Sequence, residues 1–329
     1  MRAFLILTAI VLGLSQAACA VDAGTELPAR FIANRLFLVP QTDAGKIVDF
    51  YVDSAGGTNM ICRSTAEQLH LKMTPFNNPE FESELGKNLA KAAMPTFKAG
   101  AGIPSNAIGD KTLLVHDCRK ESGSPVDAAG FLSSRWLAGR VWTWDYPAEK
   151  FRVEANDFRP AVGAQKILIA FKTDSKGKRV FDMIRFPIRV DGQTIDMLLD
   201  TGATTTLTAD ALKTIGDKLP AERATSFIAE SIFNRWHTAH PEWHTIEHAE
   251  ERTNASMIEV PEIEIAGSHV GPVWFTLRRD TDFHDFMSAV TDRQIEGAIG
   301  GDAFYHFVMT IDYPNAVAYF RCVKDCKAK

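Results

Sequence analysis

Two segments of the chain place an aspartate directly after a hydrophobic strand pattern, with a hydroxyl residue next to it. They are Asp53-Ser-Ala-Gly and Asp200-Thr-Gly-Ala. Two carboxylates that lie a few ångströms apart cannot both ionise, so they share a proton and titrate as a coupled pair. One then acts as a base and the other as an acid. Such a pair can activate a water molecule against a peptide carbonyl and protonate the departing amine.

The duplication carries this prediction, because Asp before Thr and Gly is also ordinary turn or helix N-cap chemistry. Downstream of each aspartate a second pattern recurs: Gly130-Phe-Leu-Ser-Ser precedes Val141-Trp-Thr-Trp-Asp-Tyr-Pro, and Gly297-Ala-Ile-Gly-Gly precedes Val308-Met-Thr-Ile-Asp-Tyr-Pro. In both copies the first Gly lies 15 residues before the Asp of Asp-Tyr-Pro. Two similar halves imply a pseudo-two-fold axis, across which the two aspartate loops face each other.

The elements that must position the aspartates are mostly strands. Each copy reads as strand, turn, strand and Asp, followed by a helical pattern over Arg63 to Leu71 or Ala209 to Ile215. Runs of β-branched and aromatic residues outnumber the helical ones, which predicts a mostly β protein with two lobes. We place the first lobe at residues 21–156, a linker at 157–163 and the second lobe at 164–329.

The second copy is the longer one. Asp53 lies 92 residues before Asp145, whereas Asp200 lies 112 residues before Asp312, so the second lobe contains an insertion of 20 residues. We place this insertion in the His-rich segment at about residues 232–252.

The His-rich segment contains a second chemical pattern. His244-x-x-Glu-His matches a metallopeptidase motif in which His244 and His248, one helical turn apart, bind zinc and Glu247 activates water. Pro241 fits the first turn of such a helix. The sequence identifies no third ligand, and an exposed amphipathic helix or lid with Trp243 and Ile246 packed inward also explains the segment.

Residues 1–20 have the features of a secretory signal peptide: a positive start, an apolar run from Ala3 to Leu14, and the cleavage pattern Ala18-Cys-Ala. A membrane anchor is the alternative, but this run is about twelve residues where a bilayer needs about 20. Lipid anchoring through Cys19 is a further alternative. We expect a secreted or periplasmic protein without a membrane span.

Removal of this segment leaves four cysteines, which three different pairings can join. We favour Cys62 with Cys118 and Cys322 with Cys326, because each pair then stays within one lobe. A metal site is the alternative, but a C-x3-C pair without a second nearby Cys or His pair is a poor match to one.

The composition excludes several classes. A chain with 46% hydrophobic and 23% charged residues is neither disordered nor collagenous. The net charge of −5, without a Lys/Arg block, lacks the electrostatic footprint of a nucleic-acid-binding protein. The sequence also contains no P-loop, no dinucleotide-binding G-x-G-x-x-G and no G-x-S-x-G.

At Leu198-Leu-Asp-Thr-Gly-Ala-Thr and Ala298-Ile-Gly-Gly-Asp-Ala-Phe the chain resembles the retropepsin-like aspartic proteases, in the bacterial two-repeat form that imitates the two-lobed pepsin arrangement. The first segment is similar to the catalytic loop of that family, and the second to the apolar-apolar-Gly element that crosses behind it. The resemblance implies a pepsin-like fold built from two retropepsin-like repeats. It also implies an aspartic endopeptidase without cofactor or metal that binds a peptide or protein between its lobes; we expect a monomer.

By this resemblance Asp53 and Asp200 are the catalytic pair, and the hydroxyls of Ser54 and Thr201 brace the two loops across the axis. The supporting loop residues are Ser54, Ala55, Gly56, Thr201, Gly202 and Ala203.

The first lobe departs from the family pattern at two positions. Ala55 stands where the family has Gly, and Ser133 stands where the second repeat has Gly300. A Cβ at such a position crowds two closely approaching loops or opposes a positive φ. Both residues are compatible with a working pair, and equally with a non-catalytic peptide-binding or protein-binding module on the same fold. That module is the second hypothesis, and a zinc metallopeptidase acting through the His-rich segment is the third.

Overall fold

The computed structural model describes residues 24–118, 128–155 and 157–327 of the chain. The predicted signal peptide and Cys19 lie outside these residues. Strands predominate over helices in the described part, which confirms the prediction of a mostly β protein. No helix within the described ranges is long and apolar enough to cross a membrane.

The first half of the described chain alternates short strands with short helices. Its strands are β1 (Thr25–Glu26), β2 (Ala29–Ile32), β3 (Arg35–Leu38), β4 (Phe50–Val52), β5 (Met60–Cys62), β6 (Thr74–Pro75), β7 (Ala90–Ala93), β8 (Thr112–His116), β9 (Gly130–Leu132), β10 (Val141–Asp145) and β11 (Lys150–Val153). Its helices are α1 (Arg63–Gln68), α2 (Pro79–Leu85) and α3 (Ser134–Leu137). Helix α1 begins at the predicted residue and ends three residues before the predicted end.

The second half continues the same alternation. Its strands are β12 (Gln165–Leu168), β13 (Arg185–Val190), β14 (Gln193–Leu199), β15 (Thr204–Thr206), β16 (Glu222–Ala224), β17 (Ser226–Ala229), β18 (Thr245–Ile246), β19 (Met257–Val260), β20 (Ile263–Ile265), β21 (Ser268–Val270), β22 (Val273–Arg278), β23 (Gly297–Ile299), β24 (Phe307–Asp312) and β25 (Val317–Cys322). Its helices are α4 (Ala209–Ile215), α5 (Glu230–Ala239) and α6 (Gly301–Phe304), with π-helical and 3-10 turns at Asp282–Phe286 and Met287–Val290.

Helix α4 has the predicted bounds because both of its ends are capped. The Thr208 hydroxyl accepts a hydrogen bond from the N–H of Ala211 at 3.3 Å, which satisfies one donor of the first turn. Gly216 ends the helix with a φ of 66°, a left-handed conformation that glycine adopts without a steric penalty.

The two halves contain sheets with the same internal topology. In the eight-stranded sheet (β2-β3-β4-β9-β5-β8-β7-β6), β9 lies parallel to β4 and antiparallel to β5, and β8 lies parallel to β5. In the nine-stranded sheet (β18-β19-β22-β17-β23-β14-β13-β20-β21), β23 bears the same relation to β14 and β17, and β22 lies parallel to β17. The repeat seen in the sequence is therefore a repeat of fold, and each sheet forms the frame of one lobe.

A six-stranded sheet (β1-β11-β10-β24-β25-β12) joins the lobes, and its centre lies on the pseudo-two-fold axis. Strands β10 and β24 are antiparallel and pair Thr143 with Thr310, the matching threonines of the two Asp-Tyr-Pro repeats. Their hydroxyls are 2.7 Å apart and buried. On the first-lobe side, the buried rings of Trp142 and Phe151 stack with centroids 5.2 Å apart.

The 20-residue insertion does not lie where the sequence pattern placed it. Met60 and Phe227 occupy the same ladder position, since each pairs with the residue after the repeated glycine, Gly130 or Gly297. The aspartate lies 7 residues before this position in the first copy and 27 before it in the second, and the glycine follows 70 residues later in both. The extra residues therefore form the excursion β15–α4–β16, and the assignment of the insertion to residues 232–252 was wrong.

This register also corrects two helix assignments. Helix α5 follows β17 directly, as α1 follows β5, so the counterpart of α1 is α5 and not α4. The helix expected after Pro241 is not formed, because α5 ends before it and residues 245–246 instead pair with β19 as strand β18. Trp243 and Ile246 do pack inward, as expected: Trp243 packs against the core and Ile246 is buried beside Leu207.

Both disulfides have the predicted pairing. Cys62 bonds to Cys118 across a separation of 56 residues, and Cys322 bonds to Cys326 across 4 residues. Cys62 is also the residue that precedes α1, so the first bond ties this helix and β5 to the end of β8.

The two bonds should differ in their contribution to stability. A cross-link restricts the unfolded chain more when the loop that it closes is longer. Replacing Cys62 and Cys118 with Ser should lower the free energy of unfolding by about 4 kcal/mol, and replacing Cys322 and Cys326 by about 2 kcal/mol. Urea unfolding of both double variants measures the two losses, and a larger loss for the Cys322–Cys326 pair would contradict this account.

Candidate active site

The two aspartates occupy equivalent positions. Each follows the end of a strand that runs parallel to the crossing strand of its own lobe, β9 or β23. Asp53 follows β4 and its N–H donates to the carbonyl of Leu132 at 2.9 Å. Asp200 follows β14 and its N–H donates to the carbonyl of Ile299, also at 2.9 Å. In each lobe the strand that crosses behind the loop, β9 or β23, therefore fixes the backbone of the aspartate.

Ser54 and Thr201 join the two loops by reciprocal hydrogen bonds. The N–H of Ser54 donates to Thr201 Oγ1 at 3.1 Å, and the N–H of Thr201 donates to Ser54 Oγ at 3.0 Å. Each hydroxyl also donates to the carbonyl before the opposite aspartate: Ser54 Oγ to Leu199 O at 2.7 Å and Thr201 Oγ1 to Val52 O at 3.5 Å. Both side chains are fully buried, so these bonds satisfy polar groups that water does not reach.

This brace brings the carboxyl groups of Asp53 and Asp200 together, and the two are hydrogen-bonded to each other. Asp53 Oδ1 accepts the N–H of Ala55 at 2.7 Å, and Asp200 Oδ1 accepts the N–H of Gly202 at 3.0 Å. A Cβ on Gly202 would lie 2.3 Å from Asp53 Cγ, so the carboxyl of Asp53 rests directly on the Gly202 backbone.

The environment of the pair favours its protonated forms. Burial raises the pKa of Asp53 above the ordinary value for Asp. Burial, and then the charge of Asp53, raises the pKa of Asp200 well above the ordinary value. Both residues keep part of their surface exposed, and Asp200 lines a pocket that a water molecule can enter. The pair therefore retains a proton at pH values where isolated carboxyl groups have lost theirs.

The two departures of the first lobe keep the hydrogen bonds of the site intact. Ala55 still donates its N–H to Asp53. Neither Ala55 nor Gly202 has a positive φ. The reason for Gly at position 202 is therefore the lack of space for a Cβ and not backbone strain. Ser133 is fully buried, and both its N–H and its hydroxyl donate to Asn59 Oδ1 at 2.9 Å.

In the second repeat a different residue accepts the corresponding backbone N–H. The N–H of Gly300 donates to Ser226 Oγ at 3.2 Å, so Ser226 takes the part that Asn59 has in the first lobe. A Cβ on Gly300 would lie 1.9 Å from the carbonyl oxygen of Thr225, which excludes any side chain there.

The other supporting residues pack closely behind the loops. A Cβ on Gly56 would lie 2.4 Å from the Phe131 ring, and the Gly56 carbonyl accepts the N–H and the hydroxyl of Ser134. Ala203 is buried, and its Cβ would lie 3.0 Å from a Cβ on Gly300.

Tyr51 is a residue of the site that the sequence pattern missed. Its hydroxyl donates to the carbonyl of Gly202 at 2.8 Å and lies 2.9 Å from Thr204 Oγ1, so a first-lobe strand fastens the Asp200 loop. Burial raises the pKa of the Tyr51 phenol well above its ordinary value, which keeps it a hydrogen-bond donor. The repeat carried no signal for this residue, because the matching position of the second copy is Leu198.

The structure does not bring the His-rich pattern into the arrangement of a zinc helix. His244 precedes β18, and His248 follows it in a left-handed conformation with a φ of 53°. The side chains of His244, Glu247 and His248 are not among any group of three or more His, Cys, Asp or Glu residues that could hold a metal ion in the described ranges.

The comparisons with known proteins do not show what chemistry this site performs. Neither family models nor curated proteins match this chain. Among solved structures, the chain is similar to the aspartic proteinase from Irpex lacteus, with 11% identity and a TM-score of 0.47 over 92% of this chain and 98% of that chain. A similarity of this size carries no information on activity.

The reciprocal hydrogen bonds of Ser54 and Thr201 should contribute measurably to the free energy of unfolding. Thr201→Val removes an acceptor and a donor from buried partners and should lower the free energy of unfolding by about 1 to 3 kcal/mol, whereas Thr201→Ser keeps the hydroxyl and most of the stability. Thr214→Val is the matched control, because its hydroxyl donates to the Asp210 carbonyl on the exposed surface of α4. Urea unfolding decides: equal losses at positions 201 and 214 would mean that the reciprocal bonds contribute nothing.

Proposed function

We propose that this protein is an aspartic endopeptidase that hydrolyses peptide bonds with a water molecule activated by Asp53 and Asp200. The observation that carries the proposal is the pair of hydrogen-bonded, desolvated carboxyl groups at the ends of two equivalent strands. The resemblance to the retropepsin-like and pepsin-like proteases supports it. The substrate is a peptide or protein segment in extended form, held in the cleft between the lobes.

The pKa of each aspartate is raised, and the two carboxyl groups titrate as a coupled pair that shares one proton. In the proposed reaction Asp200 carries this proton and Asp53 is the carboxylate. The water oxygen bonds to the carbonyl carbon of the substrate while Asp53 takes a proton from that water. Asp200 gives its proton to the carbonyl oxygen. In the second step the C–N bond breaks: Asp53 passes its proton to the leaving nitrogen, and Asp200 recovers one from the hydroxyl that becomes the new carboxyl group.

The two disulfides fit an oxidising compartment, and we extend the proposal to a secreted or periplasmic location.

A non-catalytic peptide-binding module is the second candidate, and Ala55 is the observation that favours it. A methyl group stands beside Asp53 where the second loop has only the Gly202 backbone, so the two loops are not equivalent. Both candidates use the same cleft, and they differ only in whether the bound peptide is cut.

Substitution of either aspartate tests the proposal. Asp53→Asn and Asp200→Asn should each lower kcat/KM on a mixed peptide library by at least about 100-fold, since each removes a proton-transfer group. Cleavage is read by mass spectrometry from about pH 3 to pH 7, with and without a zinc chelator. Cleavage lost in both variants and unaffected by the chelator is the expected result.

Other outcomes favour the other candidates. No cleavage by folded wild-type protein would favour the binding module, and chelator-sensitive cleavage that survives both substitutions would move the chemistry to the His-rich segment.

The activity should have a bell-shaped pH dependence. On the acid side Asp53 becomes protonated and can no longer accept a proton from water, and on the alkaline side Asp200 loses the proton that it must donate. Both pKa values are raised from 3.8, so the alkaline limb should lie above the pH at which an ordinary aspartate titrates. The pH profile of kcat/KM measures this, and activity that declines steadily from pH 3 upward contradicts the assignment.

A methyl group placed under the pair should disrupt it. Gly202→Ala puts a Cβ 2.3 Å from Asp53 Cγ and must displace that carboxyl, which should lower kcat/KM by about 100-fold. Gly57→Ala is the matched control, because its Cβ would meet only the end of the Met183 side chain at 3.6 Å. Equal activity in the two variants would show that the position of Asp53 over Gly202 does not matter for cleavage.

A further inference from the structure

A pocket lies beside Asp200 on the second-lobe side of the pair, with a volume of about 280 Å³. Its lining includes Gly202, Thr204, Thr206, Phe227, Glu250 and Arg278. Since Asp200 itself lines the pocket, a side chain seated there belongs to a substrate residue close to the bond that is cut.

The guanidinium of Arg278 has no carboxylate within 4.0 Å in the described part of the chain. Its Nη1 donates to the Leu277 carbonyl at 3.1 Å and, at 3.5 Å, to the hydroxyl of Thr253, and the group lies 4.3 Å from the centre of the Phe227 ring. Burial lowers the pKa of Arg278, against the opposing effect of the charges of Glu250 and Asp282. A guanidinium that has lost water and has no carboxylate in direct contact favours an anionic ligand.

Three arginines whose side chains are at most 11% exposed are paired with carboxylates. Arg35 pairs with Glu222, Arg185 with Asp196 and Asp292, and Arg223 with Asp217. Arg278 forms no such ion pair within the described ranges, as is also true of the partly buried Arg140 and Arg321, and of these three it alone lines the pocket beside Asp200.

The glutamate in the lining does not neutralise Arg278 by direct contact. Glu250 is buried, and its Oε2 accepts the N–H and the hydroxyl of Thr253 at 2.6 and 2.5 Å, which holds the carboxylate beyond ion-pair distance from Arg278. A second arginine, Arg252, also lines the pocket, whose two arginines face two acidic residues, Glu250 and Asp200. The Thr206 hydroxyl has no hydrogen-bond partner among the described residues.

We propose that this pocket, the Arg278 pocket, binds an acidic side chain of the substrate next to the scissile bond. The inference rests on the proposed function, because it assumes that a peptide lies over Asp200. The ligand class is a carboxylate on a short flexible chain, which the planar guanidinium can bind through two N–H groups. The protein then selects peptides with Glu or Asp at one fixed position.

Matched peptides test this selection. The probes are fluorescent eight-residue peptides that carry Glu or Gln at each position in turn, so that charge changes and shape does not. Wild-type protein should show, at one position, a kcat/KM at least about 10-fold higher for Glu than for Gln. Arg278→Gln should bring this ratio to about 1, and Arg278→Lys should retain part of it.

Arg279→Gln is the control variant and should keep the wild-type ratio, because Arg279 is exposed and pairs with Asp282 on the surface. The thermal unfolding temperatures of all variants establish that they are folded. The Glu-to-Gln ratio should also fall as the pH drops below about 4, where the Glu side chain becomes protonated.

A binding measurement separates failure of this inference from failure of the proposed function. The same peptides are titrated into Asp53→Asn protein, with and without Arg278→Gln, and followed by fluorescence anisotropy. If no peptide is cut but Glu peptides bind more tightly through Arg278, the pocket assignment stands and the protease proposal fails. If peptides are cut with equal efficiency for Glu and Gln at every position, or if Arg278→Gln keeps the preference, the pocket assignment is overturned and the protease proposal stands.

Discussion

The reciprocal hydrogen bonds between Ser54 and Thr201 are the constraint on which the rest of the site depends. Each N–H has its acceptor in the other lobe, and each hydroxyl donates to a carbonyl just before the other aspartate. These groups are buried, so a substitution that removes one partner leaves the other donor or acceptor unsatisfied at a cost of about 1 to 3 kcal/mol. The closeness of the two carboxyl groups follows from satisfying the backbone, and the same axis passes between Thr143 and Thr310 in the shared sheet.

The residues that support the two aspartates are not equivalent in the two lobes, so the two aspartates have different surroundings. Tyr51 reaches across the axis to the Gly202 carbonyl, while the matching Leu198 cannot form such a bond. The Asp53 carboxyl rests on Gly202, while a methyl group stands at Ala55 in the other loop. A duplicated carboxyl pair in fully equivalent surroundings would have no preferred acid and base. In the proposed mechanism, these unequal supports distinguish the aspartate that carries the shared proton from the one that is the carboxylate.

Both aspartate loops, the repeat, the disulfide pairing and helix α4 could be predicted, because the sequence carries them as local motifs or as matching spacings. The position of the insertion could not, because a difference in spacing gives its length and not its place; only the pairing of Met60 and Phe227 with the crossing strands locates it. Local pattern also misled at Thr245 and Ile246, where pairing with β19 prevails over a helical motif. The contacts of Tyr51 with Gly202 and Thr204, and of Arg278 with Thr253 and Phe227, join distant parts of the chain and leave no pattern in the sequence.

The insertion explains why the two sides of the cleft differ. In the first lobe the chain passes from the Asp53 loop almost directly into β5, whereas the second lobe adds β15, α4 and β16 beside Asp200. Strand β15 is tied to the turn that carries Glu250 by the bond from the Glu251 N–H to the Thr206 carbonyl, 2.8 Å long. Ile246 of the His-rich segment packs with Leu207, the residue that follows β15, and with Met257. The His-rich segment thus supports the wall of the Arg278 pocket, and a fold built by duplication gains a chemically distinct pocket on one side of its axis only.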